Sequence, residues 1–114
     1  MALKDPMHWI LDAELREVPC SNLWQWAYWF EKNHQLRIVA QEYVGPHWVS
    51  TVFLGLDHNY AMTGPPLLYE TMIFYGDSEN DELIERYSTW TQAALGHRQT
   101  VAILKAKLNT DRPL

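Results

Sequence analysis

The chain has 114 residues, of which 47% are hydrophobic, 20% charged and 13% aromatic. This length suits one compact domain, and the composition excludes a disordered or low-complexity scaffold. Nine Lys and Arg against fourteen Asp and Glu give a net charge of -5, which argues against binding to duplex nucleic acid. A single cysteine, Cys20, is typical of a reducing compartment. Without a signal pattern or an apolar run of roughly 20 residues, we expect a cytoplasmic protein without membrane contact.

The N-terminal part of the chain predicts an arm over residues 1–20, with a short helix from Pro6 to Arg16, ahead of a single domain over residues 21–114. Asn22, followed three residues later by Gln25, forms a capping box and predicts a helix over Leu23 to Lys32. The helical spacing places Leu23, Trp26, Ala27 and Phe30 on one face of this helix, and Trp24 and Tyr28 on another, so the helix is apolar on more than one side.

Four strands are predicted from runs of β-branched and aromatic residues between turn signals: Leu36–Val44, Trp48–Leu56, Leu67–Tyr75 and Leu83–Ser88. Residues 57–66 form a loop, and residues 76–82 form an acidic turn. Thr89 and Gln92 form a second capping box, which begins the last helix. Since no β-α-β alternation occurs, we predict an α+β fold, a four-stranded antiparallel meander packed against one or two helices.

Four segments of the chain carry a family resemblance: Trp26 to Glu31 (WAYWFE), Val49 to His58 (VSTVFLGLDH), Gly64 to Phe74 (GPPLLYETMIF) and Arg86 to His97 (RYSTWTQAALGH). They resemble an uncharacterised family of small proteins encoded by bacteriophages and prophages, and the two middle segments are the most specific. The resemblance implies an accessory gene product that acts inside a bacterial host cell. It assigns no catalytic residue.

A histidine and two carboxylates follow each other closely around the predicted loop. Asp57 and His58 stand at a predicted strand end, and Glu70 lies on the next strand, so folding brings a carboxylate near an imidazole. Such a group suits ligand binding or general acid-base chemistry. In the alternative, Asp57 caps the loop and Glu70 bonds a loop amide or hydroxyl. His97 lies on the inward stripe of the last helix, where we expect a hydrogen-bonded core histidine.

Established enzyme signatures are missing from the chain: it contains no phosphate-binding glycine loop, no nucleophile elbow and no paired metal-ligand spacing. We therefore predict no catalytic residues, no metal site and no cofactor, and leave enzymatic activity open with a non-enzyme favoured.

Surplus aromatic residues are the strongest remaining feature. Trp24 and Tyr28 suit stacking on bases, and Arg37 and Arg98 suit binding to phosphates, which predicts a small anionic or nucleotide ligand. The same residue types are typical of protein interfaces, which predicts a homo-oligomer.

These observations lead to three functional hypotheses. The first is a non-enzymatic accessory protein that sequesters a nucleotide-type immune signal of the host, bound by Trp24, Tyr28, Arg37 and Arg98 beside a loop ordered by Asp57, His58 and Glu70. The second is an inhibitor that binds a host defence protein, with the acidic turn imitating nucleic-acid charge. The third is a small hydrolase that uses His58 with Asp57 or Glu70.

Overall fold

The structure, a computed structural model, describes residues 6–61 and 63–110. The first five residues of the predicted arm and the last four of the predicted domain lie outside the described residues. The elements in chain order are β1 (Trp9–Leu11), β2 (Glu17–Pro19), α1 (Leu23–Lys32), β3 (Ile38–Val44), β4 (His47–Phe53), β5 (Tyr69–Phe74), β6 (Asp81–Tyr87) and α2 (Trp90–Thr110).

Strands β3 to β6 form one antiparallel sheet in chain order, which confirms the predicted α+β fold with a four-stranded meander. The observed strand ends differ from the predicted ones by a few residues. In particular, β6 already begins at Asp81 and includes Glu82, both assigned to the acidic turn by the sequence. Charged side chains are tolerated there because β6 is an edge strand and these two residues are exposed.

Both predicted helix caps are present. The Asn22 side chain accepts a hydrogen bond from the Gln25 backbone N–H at 3.0 Å, and α1 has the predicted bounds. At the start of α2, the Thr89 hydroxyl accepts from the Gln92 N–H, and the Gln92 side chain accepts from the Thr89 N–H in return. Each cap satisfies N–H groups that have no partner within their helix.

Helix α2 covers one face of the sheet. Val49 and Ile73 pack against its Val101 and Leu104. The helix continues through Gly96, where an added Cβ would lie 2.2 Å from the Tyr87 hydroxyl oxygen. Gly96 therefore permits close packing of helix on sheet and does not break α2.

The short helix predicted from Pro6 to Arg16 is wrong, because β1 and β2 form an antiparallel hairpin there. The Asp12 carboxylate accepts from the N–H groups of Glu14 and Arg16, each at 2.9 Å, and Leu15 has φ 62. These side-chain bonds compete with helical ones and close a turn instead. The backbone hydrogen bond from Arg16 is the main reason why the pKa of Asp12 lies below its ordinary value.

The hairpin is joined to the rest of the molecule by the Glu17 carboxylate. Glu17 Oε1 accepts from the Tyr69 hydroxyl at 2.6 Å and from the Trp90 backbone N–H at 3.0 Å. Tyr69 is fully buried, and burial, followed by this hydrogen bond, raises the pKa of its phenol above the ordinary value. One side chain thus links the hairpin, the sheet and the first residue of α2.

Replacing Glu17 with Ala is expected to lower the free energy of unfolding by about 2–3 kcal/mol, because a hydrogen bond to a charged acceptor contributes roughly 1.5–3 kcal/mol. Tyr69→Phe removes only the hydroxyl and is expected to cost about 1 kcal/mol. The double variant should lose less than the sum of the two. Urea titration of the four proteins measures this coupling, and strictly additive losses would contradict it.

Candidate functional site

The inward side of α1 consists of three aromatic side chains. The Trp26 indole N–H donates to the Trp9 and Gly55 carbonyl oxygens at 3.1 and 3.0 Å. Trp29 meets the Phe53 ring edge-on, with 5.9 Å between ring centroids. Phe30, the third, packs against Trp26. The helix is therefore attached by large rings, and none of its residues is fully buried.

The outer face of α1 consists of Leu23, Trp24, Ala27 and Tyr28, all of them exposed. Leu23 and Ala27 share a predicted face with Trp26 and Phe30, yet both are exposed. The rings of Trp26, Trp29 and Phe30 fill the contact with the hairpin and the sheet. Trp24 is 84% exposed and Tyr28 67% exposed. The Lys32 ammonium lies 5.8 Å from the centroid of the Tyr28 ring. Two of the predicted binding residues thus lie one helical turn apart on an open surface.

Arg37 interacts with the end of α1. Its guanidinium carbon lies 3.6 Å from the Phe30 ring centroid, and its Nε donates to the Phe30 carbonyl oxygen at 3.2 Å. Burial lowers the pKa of Arg37 below its ordinary value. A stacked guanidinium that caps helix carbonyls stabilises α1 and leaves fewer donors for a phosphate group.

Asp57 and His58 lie in the loop between β4 and β5. Asp57 is 2% exposed, and its Oδ1 accepts from the N–H groups of Asn59 and Leu67 at 2.8 and 3.0 Å. This is the loop-capping role that the sequence offered as one alternative. His58 Nδ1 lies 2.9 Å from the Leu56 carbonyl oxygen, and its ring lies beside Tyr60.

Glu70 and Arg98 lie on other parts of the molecule. Glu70 Oε2 accepts from Arg86 Nε at 3.2 Å, a pair formed between β5 and the edge strand β6. The loop amide or hydroxyl expected as its partner is replaced by this guanidinium. Arg98 is exposed on α2. The seven predicted site residues therefore belong to four regions: α1 and its C-terminal end, the β4–β5 loop, the sheet and α2.

The sheet face opposite α2 carries an aromatic group that the sequence analysis did not assign to a surface. We call this group the open sheet face, and it consists of Tyr43, Trp48, Met72, Phe74 and Leu83. The Tyr43 and Trp48 rings lie 4.7 Å apart, and Tyr43, Phe74 and Leu83 are exposed. A second apolar surface is thus available, next to the Glu70–Arg86 pair.

A buried hydrogen-bond network connects α2 with the sheet. His97 is 2% exposed, which confirms a hydrogen-bonded core histidine. Its Nε2 lies 3.0 Å from Glu42 Oε1 and its Nδ1 lies 2.7 Å from Thr51 Oγ1. Because the Glu42 carboxylate accepts, we assign the proton to Nε2, so Nδ1 accepts from the Thr51 hydroxyl.

The network continues from Thr51 across the sheet. Thr51 Oγ1 lies 2.6 Å from Thr71 Oγ1, which lies 3.1 Å from the Tyr87 hydroxyl. Burial raises the pKa of Tyr87 above its ordinary value. Thr51 and Thr71 are fully buried, so a substrate has no access to either hydroxyl. The network satisfies polar groups under α2 and has a structural role.

Within residues 6–61 and 63–110, no three His, Cys, Asp or Glu side chains converge in a way that would hold a metal ion. No helix in these ranges has the length and apolar character needed to cross a membrane.

Comparison of the chain with models of known protein families, with curated proteins and with solved structures finds no match.

Substitutions at Asp57 and His58 test which of these two side chains stabilises the β4–β5 loop. Asp57→Ala is expected to lower the free energy of unfolding by about 2–3 kcal/mol, because two backbone N–H groups lose a charged acceptor. Asp57→Asn should cost less, since the amide oxygen still accepts. His58→Ala should change stability by less than about 0.5 kcal/mol. Chemical denaturation measures all three, and a large loss for His58→Ala would assign that ring a structural role that its contacts do not explain.

Proposed function

We propose that the protein is a phage or prophage accessory protein that binds and neutralises a host component without catalysing a reaction. The resemblance of four segments supports the provenance. The observation that carries the binding role is the exposure of Trp24 and Tyr28, 84% and 67%, on the outer face of α1. The hydroxyl groups of the network around His97 are buried, so they are not accessible as catalytic groups.

Exposed aromatic rings are strong anchors for a partner. Each buries on the order of 150–250 Å² when covered, which is worth a few kcal/mol at about 25 cal/mol per Å². Trp and Tyr dominate the binding energy of many protein interfaces. The outer face of α1 places one of each a single turn apart, with Leu23 beside them.

The outer face of α1 is held in place by the opposite side of the helix. Trp26 donates to two backbone carbonyl oxygens, and Arg37 caps the C-terminal end. A helix fixed in this way loses little conformational entropy when a partner covers it. This favours stoichiometric binding of a macromolecule by a preformed surface.

The host component could be a nucleotide-type signal or a protein, and the contacts favour a protein. A helix face is convex, which suits the groove of another protein better than it suits a small ligand. Arg37, the predicted phosphate-binding residue nearest in sequence, is engaged with Phe30. The proposed function is therefore inhibition of a host protein by direct binding.

The double variant Trp24→Ala/Tyr28→Ala tests this proposal. The intact protein is expected to retain a stoichiometric host protein from bacterial lysate, and the double variant to retain at least tenfold less, because both anchors are lost. Affinity capture followed by native mass spectrometry gives the stoichiometry. Tyr60→Ala is the matched control, since Tyr60 is 76% exposed but lies in the β4–β5 loop. Equal capture by all three proteins, with unchanged thermal unfolding, would contradict the proposal.

Sequestration of a nucleotide-type signal is the second candidate, favoured by the aromatic faces of Trp24 and Tyr28 beside the Lys32 ammonium. It predicts micromolar binding of a cyclic dinucleotide, a cyclic trinucleotide or an ADP-ribose derivative, and loss of that binding in Trp24→Ala. Isothermal titration calorimetry measures it. If the folded protein gives no heat of binding with any of these compounds, this candidate is eliminated and the host-protein proposal is unaffected.

A further inference from the structure

Strand β6 and helix α2 enclose a groove along one edge of the sheet. Two cavities, of about 330 and 170 Å³, lie between these elements. On the side of β6, residues 85–88 line the first cavity, and Glu82 and Ile84 line the second. The helix residues are Gln92, Leu95, Gly96 and Gln99 in the first, then Thr100, Ile103, Leu104 and Lys107 in the second. The two linings follow each other along both elements, and we call the two cavities together the β6–α2 groove.

The helix side of this groove carries exposed apolar side chains. Leu95 is 47% exposed and Ile103 69% exposed, and they lie two turns apart on α2. Ile84 on β6 is also exposed and lines the second cavity together with Ile103. These side chains are spaced along the groove as contact points for apolar residues of an extended segment.

The strand side of the groove is acidic and unpaired. Within the described residues, β6 pairs with β5 alone and forms the edge of the sheet. Glu82 and Glu85 are exposed on it and line the two cavities. Asp81 pairs with Phe74 and lies on the open sheet face. The Tyr75 hydroxyl donates to the Glu82 carboxylate and so fixes its position at the groove wall. An edge strand offers backbone hydrogen bonds, and the carboxylates select the charge of the segment that forms them.

We propose that the β6–α2 groove binds an extended, basic segment of a partner protein, which pairs with β6 as a fifth strand. Apolar side chains of the segment contact Leu95, Ile103 and Ile84, and its Lys or Arg residues face the carboxylates of β6. The inference rests on the proposed function in one respect, that the host component is a protein. It adds a second contact site, separate from the outer face of α1.

Charge argues against pairing of β6 with the β6 strand of a second copy of this chain. Such a pair would gather six exposed carboxylates at one seam, and Arg86 is already paired with Glu70. Like charges at a strand pair are destabilising. A basic partner strand avoids the charge penalty and gains complementary ion pairs.

The test is selection of random twelve-residue peptides, displayed as a library, on the immobilised full chain. Enriched peptides should alternate apolar residues with Lys or Arg. On addition of the best synthetic peptide, the backbone amide signals of residues 81–88 should shift in ¹⁵N–¹H spectra. Leu95→Glu/Ile103→Glu should weaken its binding at least tenfold, and Ile103→Ala serves as the milder variant if the first one unfolds.

Several results would overturn the inference. These are a selection without enrichment, enriched peptides that lack basic residues, and amide shifts confined to α1 or the open sheet face. Replacement of the central residue of the best peptide by proline should cost at least tenfold in affinity, because proline removes a ladder hydrogen bond. Unchanged affinity would show that the peptide does not pair with β6.

Failure here is distinguishable from failure of the proposed function. If host-protein capture depends on Trp24 and Tyr28 but no groove-binding peptide is found, the binding proposal stands and the groove inference falls. If peptide binding survives in Trp24→Ala/Tyr28→Ala while that variant and the intact protein capture host protein equally, the groove inference stands without the α1 surface.

Discussion

The Glu17 carboxylate is the interaction on which the rest of this structure depends. It accepts hydrogen bonds from a phenol in the sheet and from the first N–H of α2. Removing it would leave the buried Tyr69 hydroxyl without this acceptor, and an unsatisfied buried polar group is destabilising. Because Glu17 belongs to the hairpin, the same bonds fix Trp9 and His8, the groups against which Trp26 of α1 packs. The position of α1 therefore depends on the hairpin as well as on its own contacts with Gly55 and Phe53.

The covering of the sheet is one-sided, and this explains where the available surfaces lie. Leu11 of the hairpin, Trp29 of α1 and Ala93 of α2 all pack on the face that presents Phe53 and Tyr69. Within residues 6–61 and 63–110 no element covers the opposite face, and Tyr43, Phe74 and Leu83 are exposed there. The acidic residues of β6 then protect an edge that would otherwise favour aggregation. The basic segment that we propose for the β6–α2 groove would contact carboxylates of this same strand.

Sequence patterns predicted the structure correctly where the signal came from residues close together in the chain. They failed where a contact depended on residues from different elements. The Asn22 cap, the bounds of α1 and the strand order follow from residues a few positions apart. The segment from Pro6 to Arg16 carries irregular apolar spacing, and the Asp12 side chain closes a turn there. At the candidate site, the exposure of Trp24 and Tyr28 was predictable from helical spacing. The separation of Glu70 from the loop was not, because Arg86 on a neighbouring strand binds it.

By itself, the amino-acid sequence determined the fold class, the capped helices, the meander and a surplus of aromatic residues, since periodicity and capping act over three or four positions. The tertiary structure alone decided which polar groups meet. Glu17 and Trp90 are 73 residues apart, and Glu42 and His97 are 55 apart. A buried donor bonds to whichever acceptor the packing brings near it, and no periodic pattern in the sequence indicates that pairing. The groove between β6 and α2 arises in the same way, from two elements placed side by side by folding.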